Sequence, residues 1–308
     1  MITHYFKTVK DEAFKTLDTV RSGVWTHVIA PSDAEIAQLV GLYALDDAIL
    51  KDAQDFFEVP RIERSGGMTY FFTRYPYDEK QEDSGTAPLL IVMGESFLLT
   101  CAVREVPQFE PFFTDSVPDV FTTQKTKLFI RLMLAITHSY ERDLVRLRKS
   151  VQKDRAHLRK IGSREIEHLV NMETDLNDII TALVPTNSSL QQIVAGNYMQ
   201  LFSDDQELMQ DLLIANNQLI DSARSVLKTI QNIRNAAESI LTNRLNLTIR
   251  TLTILTIILT IPTIVASLYG MNVPLPLSSN EHAFWIVLAF IVSAVLFAAA
   301  LFKRHKWL

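Results

Sequence analysis

Residues 251–268 have the sequence TLTILTIILTIPTIVASL and residues 283–302 have the sequence AFWIVLAFIVSAVLFAAALF, and neither segment contains a charged side chain. At about 1.5 Å of rise per residue, a helix of either length crosses a hydrocarbon core of about 30 Å. Two buried helices of a soluble domain are the alternative, but two such segments so close together favour a membrane. We therefore predict a transmembrane hairpin, with spans at about 249–269 and 283–302 joined by an extracytoplasmic loop at 270–282.

The charges of the chain divide at the first of these segments. The whole chain has 30 Lys and Arg against 35 Asp and Glu, a net charge of −5. Residues 249–308 carry +3, and residues 1–248 therefore carry −8. Basic residues flank the hairpin at both ends and are absent from its connector, so the positive-inside rule places residues 1–248 and the basic tail 303–308 in the cytoplasm. We expect a multi-pass protein of the cell (plasma or inner) membrane.

The first span carries a line of hydroxyl side chains on one helix face, spaced by 3 or 4 residues: Thr253, Thr256, Thr260, Thr263 and Ser267. The same spacing continues backwards through Ile249 and a series of polar residues to Asp221. A polar line in lipid is costly unless it faces protein or water. Hydroxyls bonded to their own i−4 carbonyls are the alternative. Five hydroxyls in register favour a water-lined face, which requires an oligomer because two helices cannot enclose a pore.

A single long helix is predicted from about Asp204 to about Tyr269. No glycine lies between Gly196 and Gly270, and the only proline between them is Pro262. Residues 203–206 (SDDQ) fit a helix-capping box. This helix defines a segment 203–269 that continues into the first span.

A helical hairpin is predicted upstream of this helix, within a segment 122–202. It runs from Thr122 to about Lys160, turns near Gly162, and continues from Ser163 to about Val184, where Pro185 ends it. Nine Lys and Arg residues lie between positions 142 and 164. They would suit nucleic acid or anionic lipid, but acidic residues in the second helix can pair with them. A solvated helix surface is therefore favoured, and no nucleic-acid partner is expected.

Residues 1–121 alternate short strands and helices. Strand-like stretches lie at 24–30, 68–77, 89–93 and 97–103, and Gly94-Glu95 suits a two-residue hairpin turn. Short helices are expected from a cap at Ser32 or Asp33 to about Val40, and over residues 46–55. This pattern predicts a cytoplasmic α/β domain with a mixed or antiparallel sheet, in which the single cysteine, Cys101, belongs to the core.

Catalytic signatures are absent from the sequence. It has no phosphate-binding glycine loop, no HExxH, no Gly-x-Ser-x-Gly and no clustered His or Cys ligands. We therefore do not expect an enzyme, and any solute must move without ATP hydrolysis by this chain.

The first span ends in Tyr269-Gly270-Met271-Asn272, which a second hydrophobic helix and a basic tail follow. This arrangement resembles the CorA family of magnesium transporters over the full chain. The resemblance implies an α+β cytoplasmic domain, long helices and a funnel-shaped homopentamer. Its selectivity filter would be Gly270, Met271 and Asn272. Mg²⁺ dehydrates reluctantly, and a ring of Asn272 amide oxygens can accept hydrogen bonds from its retained water.

The resemblance also implies a set of pore-lining positions, of which the first three would form a hydrophobic cytoplasmic gate: Asn246, Ile249, Leu252, Thr256, Thr260, Thr263 and Ser267. It further implies that Asp52 and Asp211 of neighbouring subunits bind a regulatory Mg²⁺. Without the cation these carboxylates would repel each other, which would loosen the subunit contact and favour opening. Lys51 departs from the acidic residue that some members carry beside this site, so it would weaken the site. Residues 273–277 lack an acidic pair.

Three functions remain open at this point. The favoured one is a channel for Mg²⁺ influx, driven by the membrane potential and gated by cytoplasmic Mg²⁺, with Co²⁺ as a second candidate ion. Transport of Co²⁺, Ni²⁺ or Zn²⁺ in the same fold is the close alternative, and the absence of His and Cys from the pore face favours Mg²⁺. The third is a membrane-anchored scaffold or signalling protein without a pore, against which the hydroxyl line argues. Expected partners are further copies of the chain, the lipid bilayer and divalent cations.

Overall fold

The computed structural model describes residues 1–78, 84–156, 162–273, 276 and 281–305 of the chain. It divides into two compact units, residues 1–234 and residues 235–308. Three predicted features fall partly outside the described residues. They are the hairpin end and turn at 157–161, much of the outer loop at 274–280, and the tail residues 306–308.

Within the described residues, a seven-stranded mixed sheet forms the centre of the first unit. Its strands are β1 (Ile2–Phe6), β2 (Lys15–Leu17), β3 (Val24–Ile29), β4 (Arg61–Ser65), β5 (Met68–Asp78), β6 (Ser84–Met93) and β7 (Phe97–Ala102). Their order is β2-β1-β3-β7-β6-β5-β4, with β3 and β7 parallel and the other neighbours antiparallel. The predicted strands are present, whereas β1, β2 and β4 are additional strands. Three residues, Gly94–Ser96, connect β6 to β7 in place of the predicted two-residue turn.

Two short helices cover one face of the sheet. In α1 (Asp33–Tyr43), the Ser32 hydroxyl accepts from the Glu35 amide at 3.3 Å, and the Glu35 carboxylate accepts from the Ser32 amide at 2.9 Å. This capping box is the predicted helix start. The Asp46 side chain caps α2 (Asp47–Asp52) by accepting from the Ala48 and Ile49 amides. This helix is shorter than the predicted helix over residues 46–55.

The core lies on both sides of the central strands, because β3, β6 and β7 present apolar side chains to both faces. One layer packs Val28, Leu90 and Leu99 against the two short helices. On the opposite layer the rings of Phe71 and Phe129 meet edge to face at 5.1 Å. Cys101 is buried, as predicted, and its burial raises the pKa of the thiol to about 12.

Five further helices follow a short 3-10 turn at Pro107–Phe109 and complete the described part of the chain. They are α3 (Glu110–Phe113), α4 (Lys125–Ala156), α5 (Ser163–Val194) and α6 (Ser203–Tyr269), with α7 (Ala283–Arg304) at the C-terminal end. The prediction that Pro185 ends the hairpin's second helix is wrong, because α5 continues through it for nine residues. A proline inside a helix costs about 3 kcal/mol. Burial of Leu190 and Ile193 beyond it, and the Thr186–Thr73 hydroxyl contact at 3.1 Å, offset that cost.

The long helix α6 is continuous from Ser203 to Tyr269 and includes Pro262. The prediction made Ser203 the N-cap residue, but α6 begins at Ser203 itself, one residue earlier than predicted. The Gln206 amide donates to the Phe202 carbonyl at 2.9 Å, and the Ser203 hydroxyl donates to the Asp204 carboxylate. Within the first unit, α6 buries a stripe of apolar side chains and pairs Arg234 with Glu173 of α5 at 2.8 Å.

Candidate ion pathway and regulatory carboxylates

The C-terminal part of α6 and all of α7 have the properties of membrane-spanning helices by length and composition. Their most apolar stretches have mean hydropathies of 2.1 and 2.7, and almost none of that surface is buried within the described chain. Large side chains of α7 such as Phe284, Phe290 and Phe297 are 64–69% exposed. A helix that is apolar all round and unburied needs lipid or other helices around it.

The hydroxyl line follows α6 through this stretch, and its threonines are exposed. Thr256 donates to the Leu252 carbonyl at 2.9 Å, Thr260 to the Thr256 carbonyl at 2.7 Å, and Thr263 to the Leu259 carbonyl at 2.8 Å. The local i−4 bonding is therefore formed. It uses only the hydroxyl proton, so each oxygen keeps lone pairs that can accept from the water around a hydrated cation.

An open polar face of α6 precedes this line in the second unit. It is formed by Asn235, Glu238, Ser239, Thr242, Asn243 and Asn246. Four of these six continue the spacing of the hydroxyl line. Asn246 is also the first residue of the predicted gate, and the other two, Ile249 and Leu252, follow directly and are 53% and 63% exposed. One face of α6 thus changes from amide and hydroxyl groups to two apolar side chains and back to hydroxyl groups.

The predicted filter residues lie where α6 ends. The Gly270 amide donates to the Ala266 carbonyl at 3.0 Å and the Met271 amide to the Leu268 carbonyl at 3.3 Å, so backbone hydrogen bonds to the helix continue over these two residues. Gly270 does not have the positive φ of a helix-capping glycine. A Cβ at this position would be in ordinary contact with the Ala266 oxygen, at 3.4 Å. Asn272 is exposed beyond it.

The two predicted regulatory carboxylates lie on the surface of the first unit. Asp52 is the last residue of α2, with half of its side chain exposed, and Asp211 is exposed on α6. Among the described residues of a single chain, no group of three or more His, Cys, Asp or Glu side chains is arranged to hold a metal. Carboxylate oxygens are ligands that suit Mg²⁺, and both side chains are accessible to a second copy of the chain.

A basic residue that sequence reasoning missed lies beside Asp52. The Arg61 guanidinium donates to the Asp52 carboxylate at 2.8 Å, although nine residues separate the two. Lys51, which the sequence singled out, instead pairs with Asp47 at 2.6 Å, and this hydrogen bond raises the pKa of the Lys51 ammonium. The Arg61 contact could not be predicted because it needs the start of β4 to lie beside the end of α2.

Comparison with known proteins decides the family. The family described as CorA-like Mg²⁺ transporter protein matches residues 21–304. The chain belongs to the CorA family. This family consists of transporters, which confirms that the chain is not an enzyme, and it confirms the resemblance found in the sequence.

Individual CorA proteins agree over nearly the whole length. The cobalt/magnesium transport protein CorA of Methanocaldococcus jannaschii is 26% identical over 92% of this chain and 91% of its own length. The magnesium transport protein CorA of Wolinella succinogenes is 22% identical, with 96% of each chain covered. The complete structure of the M. jannaschii CorA magnesium transporter superposes with a TM-score of 0.87 at 21% identity, covering 100% of this chain and 99% of that one. The CorA fold, with its α+β domain and two apolar C-terminal helices, is therefore confirmed.

Proposed function

We propose that the chain forms a homopentameric, funnel-shaped divalent-cation channel of the cell membrane that carries Mg²⁺ into the cytoplasm. The observation that carries the proposal is the hydroxyl line of α6 within a stretch of that helix that is otherwise apolar and unburied. Membership of the CorA family and relatives named as magnesium transport proteins support it. The name of the M. jannaschii relative supports Co²⁺ as a second transported ion.

Selectivity would come from Asn272 with Gly270 and Met271 at the outer mouth. Mg²⁺ holds its octahedral water tightly, so a filter that accepts hydrogen bonds from this water need not strip it. Amide oxygens from several copies form such a filter without a fixed charge that would trap the ion. Thr256, Thr260, Thr263 and Ser267 would continue the same acceptor chemistry through the membrane, and Asn246, Ile249 and Leu252 would form the gate.

The orientation follows from the charges that flank the two spans. With both termini in the cytoplasm, the filter faces outward and an inside-negative potential drives cations inward. The potential supplies about 2.3 kcal/mol per charge for each 100 mV, and therefore about 4.6 kcal/mol for a dication. No nucleotide hydrolysis is needed.

Regulation would act through Asp52 of one subunit and Asp211 of its neighbour, with a cytoplasmic Mg²⁺ between them. A bound ion cancels the repulsion of the two carboxylates and holds the closed arrangement. When cytoplasmic Mg²⁺ falls, the ion leaves and the contact loosens. The exposure of both side chains in a single chain supports a site that a second copy completes.

Flux in proteoliposomes tests the channel. Under an inside-negative potential, we expect Mg²⁺ and Co²⁺ to enter proteoliposomes that contain the wild-type protein. Asn272→Ala should lower the Mg²⁺ flux at least tenfold. Asn197→Ala, which removes an exposed amide in the first unit, is the matched control and should keep wild-type flux. Absence of any cation flux from the wild type would contradict the channel. Preference for Zn²⁺ over Mg²⁺ would instead favour the transition-metal alternative.

Charge reversal at α6 tests regulation. We expect Asp211→Lys to leave flux much less sensitive to internal Mg²⁺, because a lysine there repels the ion. Glu167→Lys makes the same change at an exposed position of α5 and should keep wild-type sensitivity. The measurement is the internal Mg²⁺ concentration that halves the flux, and an unchanged value for Asp211→Lys would refute the assignment.

A further inference from the structure

Arg61 lies at the centre of a small acidic cluster at the start of β4. Its guanidinium donates from Nη2 to Asp52 at 2.8 Å and from Nε to Glu63 at 3.3 Å, and it also pairs with Glu58. The ring of Phe72 lies 4.0 Å from its central carbon, on the neighbouring strand β5. The single guanidinium therefore pairs with three carboxylates and packs against the face of an aromatic ring.

The cluster resembles a cation site in its carboxylates, but the cation that they surround is the guanidinium of Arg61. Asp52, Glu58 and Glu63 supply three negative charges, and Arg61 neutralises one of them. Oδ2 of Asp52 already accepts from Arg61. A regulatory Mg²⁺ at Asp52 must therefore compete with the guanidinium for this carboxylate or bind close to a positive charge.

We propose that Arg61 is a tethered competitor of the regulatory Mg²⁺ and sets the cytoplasmic Mg²⁺ concentration at which the channel closes. This inference rests on the proposed regulatory role of Asp52. When Mg²⁺ binds Asp52, the guanidinium gives up that carboxylate and keeps Glu58 and Glu63. Arg61 thus weakens Mg²⁺ binding without leaving an unpaired charge in the ion-free state.

The geometry supports an exchange rather than a permanent structural pair. Asp52 is half exposed and Arg61 is one-third exposed, so both can rearrange toward solvent, whereas Glu58 is only 14% exposed. Exposed ion pairs contribute little to stability, so the Asp52–Arg61 contact is weak enough for a dication to replace. Lys51 does not take the same role, because its ammonium bonds to Asp47.

The test is Arg61→Gln with Arg64→Gln as the matched control. Arg64 lies on the same strand with its side chain on the opposite face, and it is exposed. We expect Arg61→Gln to lower the internal Mg²⁺ concentration for half-inhibition about five- to tenfold, with flux scaled to each variant's own maximum. Arg64→Gln should match the wild type, and Arg61→Lys should fall between them, because it keeps the charge but loses the planar fork.

A second measurement does not depend on flux. Mg²⁺ that binds only the folded protein raises its melting temperature, and the concentration dependence reports affinity. In the detergent-solubilised full chain, the Mg²⁺ concentration for half of this rise should fall by the same factor in Arg61→Gln. Its circular dichroism without Mg²⁺ should match the wild type, because the weak surface pair is not needed for folding.

Asp52→Asn separates this inference from the proposed regulation. If Asp52→Asn weakens Mg²⁺ inhibition while Arg61→Gln leaves it unchanged or also weakens it, the competitor role is overturned and the Asp52 site stands. If Asp52→Asn changes neither inhibition nor the Mg²⁺ effect on melting, the Asp52 site is overturned and the role of Arg61 with it. Tighter Mg²⁺ binding in Arg61→Gln together with weaker binding in Asp52→Asn is the result we expect.

Discussion

Trp25 of the first unit and Trp285 of the second unit lie in opposite environments. Trp25 in β3 is fully buried, donates to the Thr100 hydroxyl at 3.0 Å, and stacks on Phe113 with 5.3 Å between ring centres. Trp285 in α7 is 66% exposed, with the neighbouring Phe284 ring at 5.4 Å. The first unit completes its own core, whereas the second leaves large aromatic surfaces that only another phase or another chain can cover.

The same contrast runs along the single helix α6. Leu212 and Ile230 are fully buried in the first unit, while Leu252 and Leu259 are about 60% exposed in the second. Aliphatic side chains thus occupy both environments. The first unit buries them within the chain, whereas the second unit leaves them exposed.

Exchanging each tryptophan for alanine tests this contrast with the largest expected effect. Trp25→Ala leaves a large cavity and removes one of the two hydrogen bonds of the Thr100 hydroxyl, which keeps its contact with His27. We therefore expect the first unit to lose about 3–5 kcal/mol of unfolding free energy. Trp285→Ala removes no buried contact of that unit and should change its stability by less than about 1 kcal/mol. Denaturant unfolding of the detergent-solubilised full chain, followed by circular dichroism, measures both.

Trp25→Phe serves as the second variant if Trp25→Ala does not fold, and it should lose less unfolding free energy than Trp25→Ala. Equal losses for Trp25→Phe and Trp285→Ala would contradict the distinction between a finished core and an unfinished one.

Acid sensitivity is the second expected difference, because it belongs to the first unit. His27 in β3 is 4% exposed, and burial lowers the pKa of its imidazole from 6.5 to about 4. Between these values the unfolded chain binds a proton that the folded chain does not. Stability is thus fully present above pH 6.5 and falls with pH, by about 2 kcal/mol between pH 7 and pH 5 from this group.

His27→Gln is the control for this effect, since it keeps a polar side chain near Thr100 and cannot titrate. The variant's own stability can differ from the wild type without affecting the test. The measurement is the loss of unfolding free energy from pH 7 to pH 5, and an equal loss in both proteins would show that His27 is not the group responsible.

The sequence predicted elements whose signals are local. The Ser32 capping box, the aromatic strand at 68–77 and the long helix without glycine all have their causes within a few residues. Strands β1, β2 and β4 were missed because they lie at or near the sheet edges and are only partly buried, so their sequences show no apolar run. The prediction that a helix ends at Pro185 was wrong because the packing that keeps this segment helical comes from β5, which is distant in the sequence.

The candidate site likewise contains features that the sequence predicts and contacts that only the fold creates. The hydroxyl spacing of α6 and the Gly-Met-Asn sequence are visible without a structure, because helix periodicity places the residues. The pairing of Asp52 with Arg61 depends on how the end of α2 meets β4, and no spacing rule gives that. The proposed site between Asp52 and Asp211 of two copies is the extreme case, since half of its surroundings would belong to another chain.

The smallest expected effect decides between the two interpretations of the hydroxyl line. Thr260 lies on the line and Thr251 lies off it, yet both donate to their i−4 carbonyls, at 2.7 and 2.9 Å. Valine keeps the shape of threonine and removes the hydroxyl. If the oxygens serve hydrated ions, Thr260→Val should lower Mg²⁺ flux about threefold, within the worth of one hydrogen bond, while Thr251→Val should not. Equal fluxes in the two variants would mean that both hydroxyls serve only their own helix, because that bond is the one feature they share.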